Sequence, residues 1–286
     1  MPEQRDFDKL WDYNNPAETE KKFRELLPAA EKGKDKGYYI ELLTQLARTY
    51  SLRKKFDEAH ELLDKAMKII RAEHIVPRVR YMLERGRTYN SAGELEKARE
   101  LFLAAYQQAD KYGEDNLAID AVHMLGIVDK GDESLKWNEL AIKMAEETGD
   151  DKAKGWLGAL YNNTGWTYHD MNEFEKALNL FERNVVWHTE RNSGTELGIA
   201  KWCVARTLRS LKRIDESLNM QTELAGWLKE KGLDEDGYVY KEIGECWLDK
   251  GNKTEAIPWF KRAYDLLKND AWFEDTEKER LKNLTE

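Results

Sequence analysis

Apolar side chains return every three or four residues through almost the whole 286-residue sequence, as on one face of a helix. No stretch shows the strict alternation of apolar and polar residues that is typical of a half-buried strand. The segment Leu160 to Val185, LYNNTGWTYHDMNEFEKALNLFERNV, shows the helical pattern well. The chain has only 5 prolines, which suits a long succession of helices. The pattern therefore predicts an all-α protein.

The pattern of this segment recurs along the chain with a period of 39 or 40 residues. The full pattern is a small residue, an aromatic residue three positions later, and an alanine and a phenylalanine in the next helix, as in Gly165, Tyr168, Ala177 and Phe181. We call the small residues anchors; they are Ala47, Gly86, Gly126, Gly165, Ala205 and Gly244. Small residues let two helices approach closely, and the larger side chains fill the space between them. The third and fifth copies depart most from the pattern.

Two segments flank the six repeats. Phe23 precedes the first anchor, Ala47, by the distance expected of a second helix, so Ala17 to Glu31 is predicted to be an unpaired second helix. Trp272 to Leu284 is predicted to form a polar closing helix. Because one helix pair cannot bury its apolar face alone, neighbouring pairs must stack. We expect a single solenoid with an N-terminal capping half-repeat at 1–36, six helix-pair repeats at 37–267, and a C-terminal cap or tail at 268–286.

Composition narrows the possible partners. The net charge is −9 and the pI is about 5.4, which argues against sequence-independent binding of nucleic acid or of an anionic membrane. No apolar run is long enough to span a membrane, and the N-terminal residues lack the apolar core of a signal peptide. The two cysteines, Cys203 and Cys246, show no spacing typical of a disulfide framework or a zinc site. We expect a cytoplasmic protein.

The spacing of small residue, Tyr, Ala, Phe and Ala, in phase from Leu43 to about Leu267, resembles that of tetratricopeptide repeats. The period is similar to that of a longer subclass, found in peptide-sensing bacterial regulators and eukaryotic adaptor proteins, and the chain looks like a bacterial-type member. The resemblance implies a right-handed α-solenoid of stacked antiparallel helix pairs, with a concave groove lined by the first helix of each pair. It also implies binding of peptides or partner proteins, without identifying them.

The resemblance also assigns the groove to positions one and four after each anchor, and two and three before it. The candidate ligand-binding residues at these positions are Gln45, Arg48, Glu84, Arg87, His123, Asn162, Asn163, Trp166, Trp202, Arg206 and Arg209. Arginine binds carboxylates through paired hydrogen bonds, asparagine can both donate to and accept from a peptide backbone, and tryptophan offers a rigid surface. We therefore expect a peptide or protein ligand with acidic groups or a free C-terminal carboxylate.

Each candidate residue also has an alternative, internal role. The arginines can pair with acidic residues of the same or an adjacent helix, as Arg87 can with Glu84. The tryptophans can pack between repeats, and the two asparagines can cap or link helices. At the level of the whole protein, the alternatives are a scaffold that assembles through its convex face or by self-association, and a ligand-responsive regulator that acts through a separate effector protein. The oligomeric state is left open.

Candidates for catalysis are few. Cys203 and His123 belong to repeats two apart, roughly 20 Å at ~10 Å per helix layer, which is too far for a nucleophile and its base. The pair His169 and Asp170 lies at the predicted end of a helix, where such residues are common. The sequence contains no HExxH motif and no phosphate-binding GxxxxGK[ST] loop. We expect no catalytic residue, no metal site and no cofactor.

Overall fold

The computed structural model describes residues 7–270 and 273–285, and most of these residues are α-helical. A short 3-10 helix, Phe7–Leu10, comes first. The α-helices follow in the order α1 (Pro16–Lys32), α2 (Lys36–Ser51), α3 (Phe56–Ile69), α4 (Ile75–Ser91), α5 (Leu95–Lys111), α6 (Asp115–Val128), α7 (Gly131–Glu147), α8 (Asp151–Lys154), α9 (Leu157–Asp170), α10 (Phe174–Glu190), α11 (Gly194–Ser210), α12 (Ile214–Glu230), α13 (Gly237–Asp249), α14 (Lys253–Leu267) and α15 (Asp275–Thr285). The predicted all-α class is confirmed.

The chain divides into two compact units, Met1–Trp156 and Leu157–Glu286. In the first unit, α2 pairs with α3, α4 with α5 and α6 with α7, and α1 packs on α2. In the second unit, α9 pairs with α10, α11 with α12 and α13 with α14, and α15 packs on α14. Within a unit, each second helix also packs on the first helix that follows it, which is the arrangement of a helical-repeat solenoid. That the two units form one continuous solenoid stays a prediction.

The predicted flanking helices agree with the structure where it describes them. The unpaired second helix is α1, whose first turn is capped by the side chain of Asn15 accepting from the amide of Glu18. The closing helix is α15, and Trp272, where it was predicted to begin, lies outside the described residues. In the third repeat the sequence predicts a short turn at 129–132 and a second helix from Glu133 to Glu147. The structure has α7 beginning two residues earlier, at Gly131.

The anchors are the points at which paired helices come closest. A Cβ atom added at Gly165 would lie 2.5 Å from a ring carbon of Phe181, and the same is true of Gly86 and Phe102. Both phenylalanine rings are fully buried. The small residue of the first helix therefore makes room for a large residue of the second, as the sequence pattern predicts.

The turn inside each helix pair contains one residue in the left-handed conformation. In five repeats this residue stands seven positions after the anchor; these residues are Lys54, Gly93, Asn172, Lys212 and Gly251, with φ between 59° and 83°. The next amide donates back to the last turn of the first helix, as Glu94 does to the carbonyl of Tyr89 at 2.9 Å. In the third repeat the left-handed residue is Gly131, only five positions after Gly126. The earlier start of α7 follows from this shorter turn.

Candidate functional site

The candidate residues all lie on first helices, and several of them contact one another within a unit. Helix α2 carries Gln45 and Arg48, α4 carries Glu84 and Arg87, α6 carries His123, α9 carries Asn162, Asn163 and Trp166, and α11 carries Trp202, Arg206 and Arg209. The side chain one position after an anchor faces the side chain two or three positions before the next anchor, 36 residues along the chain. We call such a facing pair a rung; Arg48 with Glu84 is one example. Rungs link neighbouring first helices.

In the first unit the arginines are held by carboxylates of the protein. The Nε of Arg48 lies 3.7 Å from the Glu84 carboxylate, and Arg87 donates to Oε1 of Glu84 at 2.7 Å and also to Asp120. Burial opposes the charge of Arg87, but the Asp120 and Glu84 carboxylates outweigh it and raise the pKa of the guanidinium. Burial lowers the pKa of Arg48, for which Glu84 is the nearest counter-charge. The alternative of internal pairing therefore describes both residues.

Gln45 and His123 are also engaged within the first unit. Gln45 is almost fully buried, and its Oε1 accepts a hydrogen bond of 2.8 Å from the indole of Trp11, which precedes α1. The His123 ring packs against Trp156 with the centroids 5.5 Å apart. Burial lowers the pKa of His123, which favours the neutral imidazole. Neither side chain is a free charged contact for a ligand.

In the second unit a buried glutamate pairs with two arginines. Glu242 is 2% exposed; its Oε2 accepts from Arg209 at 2.7 Å, and its Oε1 lies 3.4 Å from the Nε of Arg206. Arg206 also donates to Ser210 at 2.7 Å, and Arg209 to Asp249 at 3.2 Å. Burial opposes the charge of Arg209, but Glu242 outweighs it and raises the pKa. Internal pairing thus describes these two arginines as well.

The remaining candidates of the second unit form a neutral group that we call the Trp–Asn cluster, consisting of Asn162, Asn163, Trp166 and Trp202. The two indole rings form a rung between α9 and α11, with centroids 5.9 Å apart and planes at 40°. Asn162 donates to Oδ1 of Asn163 at 3.3 Å and accepts from the Cys203 thiol at 3.6 Å. Asn163 is exposed. The cluster therefore combines amide groups with an aromatic surface.

The aromatic rung continues beyond the residues singled out from the sequence. Tyr238 on α13 meets Trp202 edge-to-face at 6.4 Å, and Phe273 meets Tyr238 at 6.0 Å. Tyr238 stands 36 residues after Trp202, as Trp202 does after Trp166. Adding the same 36-residue distance to Trp202 would have identified Tyr238 from the sequence. The candidate residues chosen from the sequence also do not include Glu242. This residue stands two positions before the anchor Gly244, as Glu84 stands two positions before the anchor Gly86.

The residues considered for catalysis are in unreactive surroundings. Cys203 is 1% exposed, and burial raises the pKa of its thiol to about 12, which keeps it protonated. His169 lies 2.9 Å from the hydroxyl of Ser210, and burial, followed by the charge of Arg206, lowers its pKa. In the part of the chain that the structure describes, no group of three or more His, Cys, Asp or Glu residues is placed to hold a metal ion. None of the described helices has the length and apolar character needed to cross a bilayer.

Comparison with known families identifies one repeat directly. A family model described as tetratricopeptide repeat matches residues 40–74, a segment that contains most of α2, all of α3 and the turn between them. No curated protein matches the chain significantly by sequence.

Several solved structures share the fold. The apo form of RapI has a TM-score of 0.74 at 13% identity, over 97% of this chain and 84% of that one. A signal transduction ATPase with numerous domains and a tetratricopeptide repeat sensor, from Pyrococcus horikoshii, also has a TM-score of 0.74, at 16% identity and over 95% of this chain. This chain spans only 42% of that ATPase. The C-terminal part of a repeat-containing protein from Cytophaga hutchinsonii has a TM-score of 0.57 at 16% identity, over 99% of both chains. At these identities the similarity shows the fold alone.

Proposed function

We propose that this protein, whose helix pairs are tetratricopeptide repeats, is a non-catalytic module that binds an extended segment of a peptide or partner protein at the Trp–Asn cluster. Tetratricopeptide repeats and the similar repeat structures support a protein-interaction module in general. The observation that supports this particular site is the lack of charge in the cluster. Its four side chains are uncharged, whereas the four candidate arginines are all paired with carboxylates of the protein.

The chemistry of the cluster suits a peptide backbone. A primary amide can donate to a carbonyl and accept from an N–H group, so two adjacent asparagines match the alternating groups of an extended chain. Asn163 is exposed, and its amide oxygen accepts a hydrogen bond from Asn162. The neighbouring indole rings offer a rigid apolar surface for one side chain of the ligand. A neutral segment with one apolar residue fits this arrangement.

The ion pairs argue against the acidic ligand that the sequence suggested. A ligand carboxylate would have to replace Glu242 at Arg206 and Arg209, or Glu84 at Arg48 and Arg87. Separating a buried carboxylate from its partners is strongly unfavourable, at about 3–5 kcal/mol. We therefore propose that the arginines fix the spacing of the first helices rather than bind the ligand.

The descriptions of two structural relatives support a ligand-binding role. The repeat part of the archaeal ATPase is called a sensor, and RapI was solved as an apo form. A second candidate function is a scaffold that assembles without a ligand in its groove, and the internal pairing of the arginines favours this alternative.

A peptide-display selection tests the proposal. Random peptides are selected on the wild-type protein, and the enriched sequences are measured by fluorescence anisotropy against Asn163→Ala and against Asn179→Ala, an exposed asparagine of α10. We expect Asn163→Ala to weaken binding by twofold to about tenfold, the effect of one or two hydrogen bonds, and Asn179→Ala to leave it unchanged.

Two results would reject the site. Enriched peptides that bind both variants as well as wild type would place binding elsewhere. No enrichment, together with a stable homo-oligomer in light scattering that persists in the Asn163→Ala variant, would favour the scaffold.

A further inference from the structure

A separate recess lies in the second unit, where α11 and α13 begin and α12 and α14 end. Its volume is about 480 Å³, and its aliphatic lining includes Ile199, Leu228, Leu233 and Leu266. Cavities of about 300–1,000 Å³ are typical of ligand sites. Ile199 is 49% exposed and Leu266 is 38% exposed, so two aliphatic side chains face solvent at its edge.

Acidic side chains surround this apolar recess. Asp234, Glu235, Asp236 and Asp270 line it, and none of its described lining residues is basic. Glu235 is compensated by an ion pair with Arg262, which lies outside the lining. The described lining therefore contains acidic side chains and no basic side chain.

The behaviour of two ionisable groups agrees with that acidic lining. Burial raises the pKa of Asp236; backbone amides of α13 lower it, and the charge of Asp270 raises it further. Burial, followed by the charge of Asp270, also raises the pKa of Tyr238 in the same wall. A positive charge placed among these carboxylates would stabilise the ionised form of Asp236.

The corresponding place in the first unit has a different character. A recess of about 690 Å³ lies between the start of α2 and the start of α4. The charged and titratable residues of its lining are of both signs: Lys34, Asp35, Lys36, Arg71, Glu73 and His74. The acidic lining is therefore a property of the second-unit recess and not of the repeat turn in general.

We propose that the second-unit recess is a docking site for a segment of a partner protein that carries a lysine or arginine next to an aliphatic or aromatic residue. The apolar side chain enters between Ile199 and Leu266, and the cation lies beside Asp234 and Asp236. The complementary charge gives direction and selectivity, since a like-charged segment would be repelled. A small metal ion would leave the aliphatic surface uncovered, and an anionic lipid surface would be repelled. The proposal does not depend on binding at the Trp–Asn cluster.

Fluorescence anisotropy with two labelled probe peptides tests this docking site. One probe alternates leucine with lysine, and the other has glutamate in place of lysine. We expect the lysine probe to bind and the glutamate probe not to bind. Asp234→Lys and Ile199→Ser should each weaken binding of the lysine probe by roughly fivefold, the first through lost attraction and the second through lost apolar contact.

Glu73→Lys is the matched control, because it makes the same change in net charge in the first-unit recess. It should leave binding of the lysine probe unchanged, as should Asn163→Ala. Ile199 and Asp234 are both exposed, so their substitutions leave the core intact, and circular dichroism verifies the fold. An equal loss with Glu73→Lys, or no loss with Ile199→Ser, would mean that the probe binds by general attraction to an acidic protein, and would overturn the docking site.

Discussion

Lys212 adopts a left-handed conformation, with φ 62°, in the turn between α11 and α12. Residues with a Cβ atom are disfavoured there by roughly 1–2 kcal/mol, and glycine is not. The same position of other repeats holds Gly93 and Gly251, whose left-handed conformation is predictable from the sequence, and also Lys54, whose conformation is not. A lysine carries no signal of a left-handed turn, and only the seven-residue distance from the anchor reveals it.

Lys212→Gly should therefore stabilise the protein by about 1 kcal/mol, measured as a shift in urea-induced unfolding. The side chain makes no hydrogen bond or ion pair with the described residues, so little is lost. The reciprocal change Gly93→Lys should destabilise by a similar amount, because no atom crowds that position and only the backbone conformation matters. Equal stability of Lys212→Gly and wild type would show that the turn accepts either residue.

Gln221 is a second single-residue feature, and it explains why the fifth repeat departs from the pattern. It takes the place that Phe181 has in its repeat and is fully buried, with both amide atoms lacking a hydrogen-bond partner among the described residues. Gln221→Leu should stabilise the protein by about 1–3 kcal/mol, because it removes an unsatisfied buried amide. The first repeat already accommodates leucine at this position, as Leu63. Thermal unfolding measures the effect, and a lower melting temperature would indicate that the amide has a partner in solution.

At the scale of helices, the rungs determine how one first helix faces the next. Glu242 of α13 binds Arg206 and Arg209 of α11 and is almost fully buried. Glu242→Gln should destabilise the second unit by about 1.5–3 kcal/mol, because the partly buried Arg206 and Arg209 lose the carboxylate that they share, while Arg209 keeps its contact with Asp249. The exposed pair Arg213 and Glu216 is the control, and Glu216→Gln should change the free energy of unfolding by less than about 1 kcal/mol.

A small effect of Glu242→Gln, similar to that of Glu216→Gln, would contradict the structural role of the rung. Urea unfolding of both variants decides the point. A double-mutant cycle with Arg209→Met then isolates the part of the loss that belongs to the pair.

The helices themselves were predictable from the sequence, whereas the state of the arginines was not. Helix positions follow from apolar spacing, which depends on neighbours three and four residues away. Whether Arg206 binds a ligand or a carboxylate depends on a side chain 36 residues further along. Glu242 and Tyr238 show that this distance can be calculated once the period is known, but the sequence alone does not say that the facing groups make contact. The short turn of the third repeat was predictable from the sequence, but its exact length was not, and the predicted start of α7 is two residues late.

At the scale of the whole molecule, stability is expected to be local within each unit. In the second unit, each helix packs on the helices that precede and follow it in the sequence, and α11 also contacts α13. In such repeat proteins a perturbation fades over successive repeats. Phe260→Ala removes a fully buried ring opposite Gly244, which costs about 3–5 kcal/mol. Hydrogen–deuterium exchange of the backbone amides, measured by mass spectrometry, should become faster mainly in α13 and α14, and less so in α9 and α10.

The matching experiment in the first unit is Phe102→Ala, which should affect α4 and α5 more than α2 and α3. Acceleration of equal size in every helix of the perturbed unit would show that the unit unfolds as one cooperative block.

Because each rung pairs different side chains, repeats cannot be deleted or duplicated without changing which side chains face each other. Excision of the fifth repeat, α11 and α12, would bring Trp166 of α9 opposite Glu242 of α13. An indole ring would then face a buried carboxylate that has lost both of its arginines. Duplication of the same repeat would leave a second pair of arginines facing Trp202 and Cys203. The helix pairs follow one pattern, but their order and number are constrained by the side chains that meet at each junction.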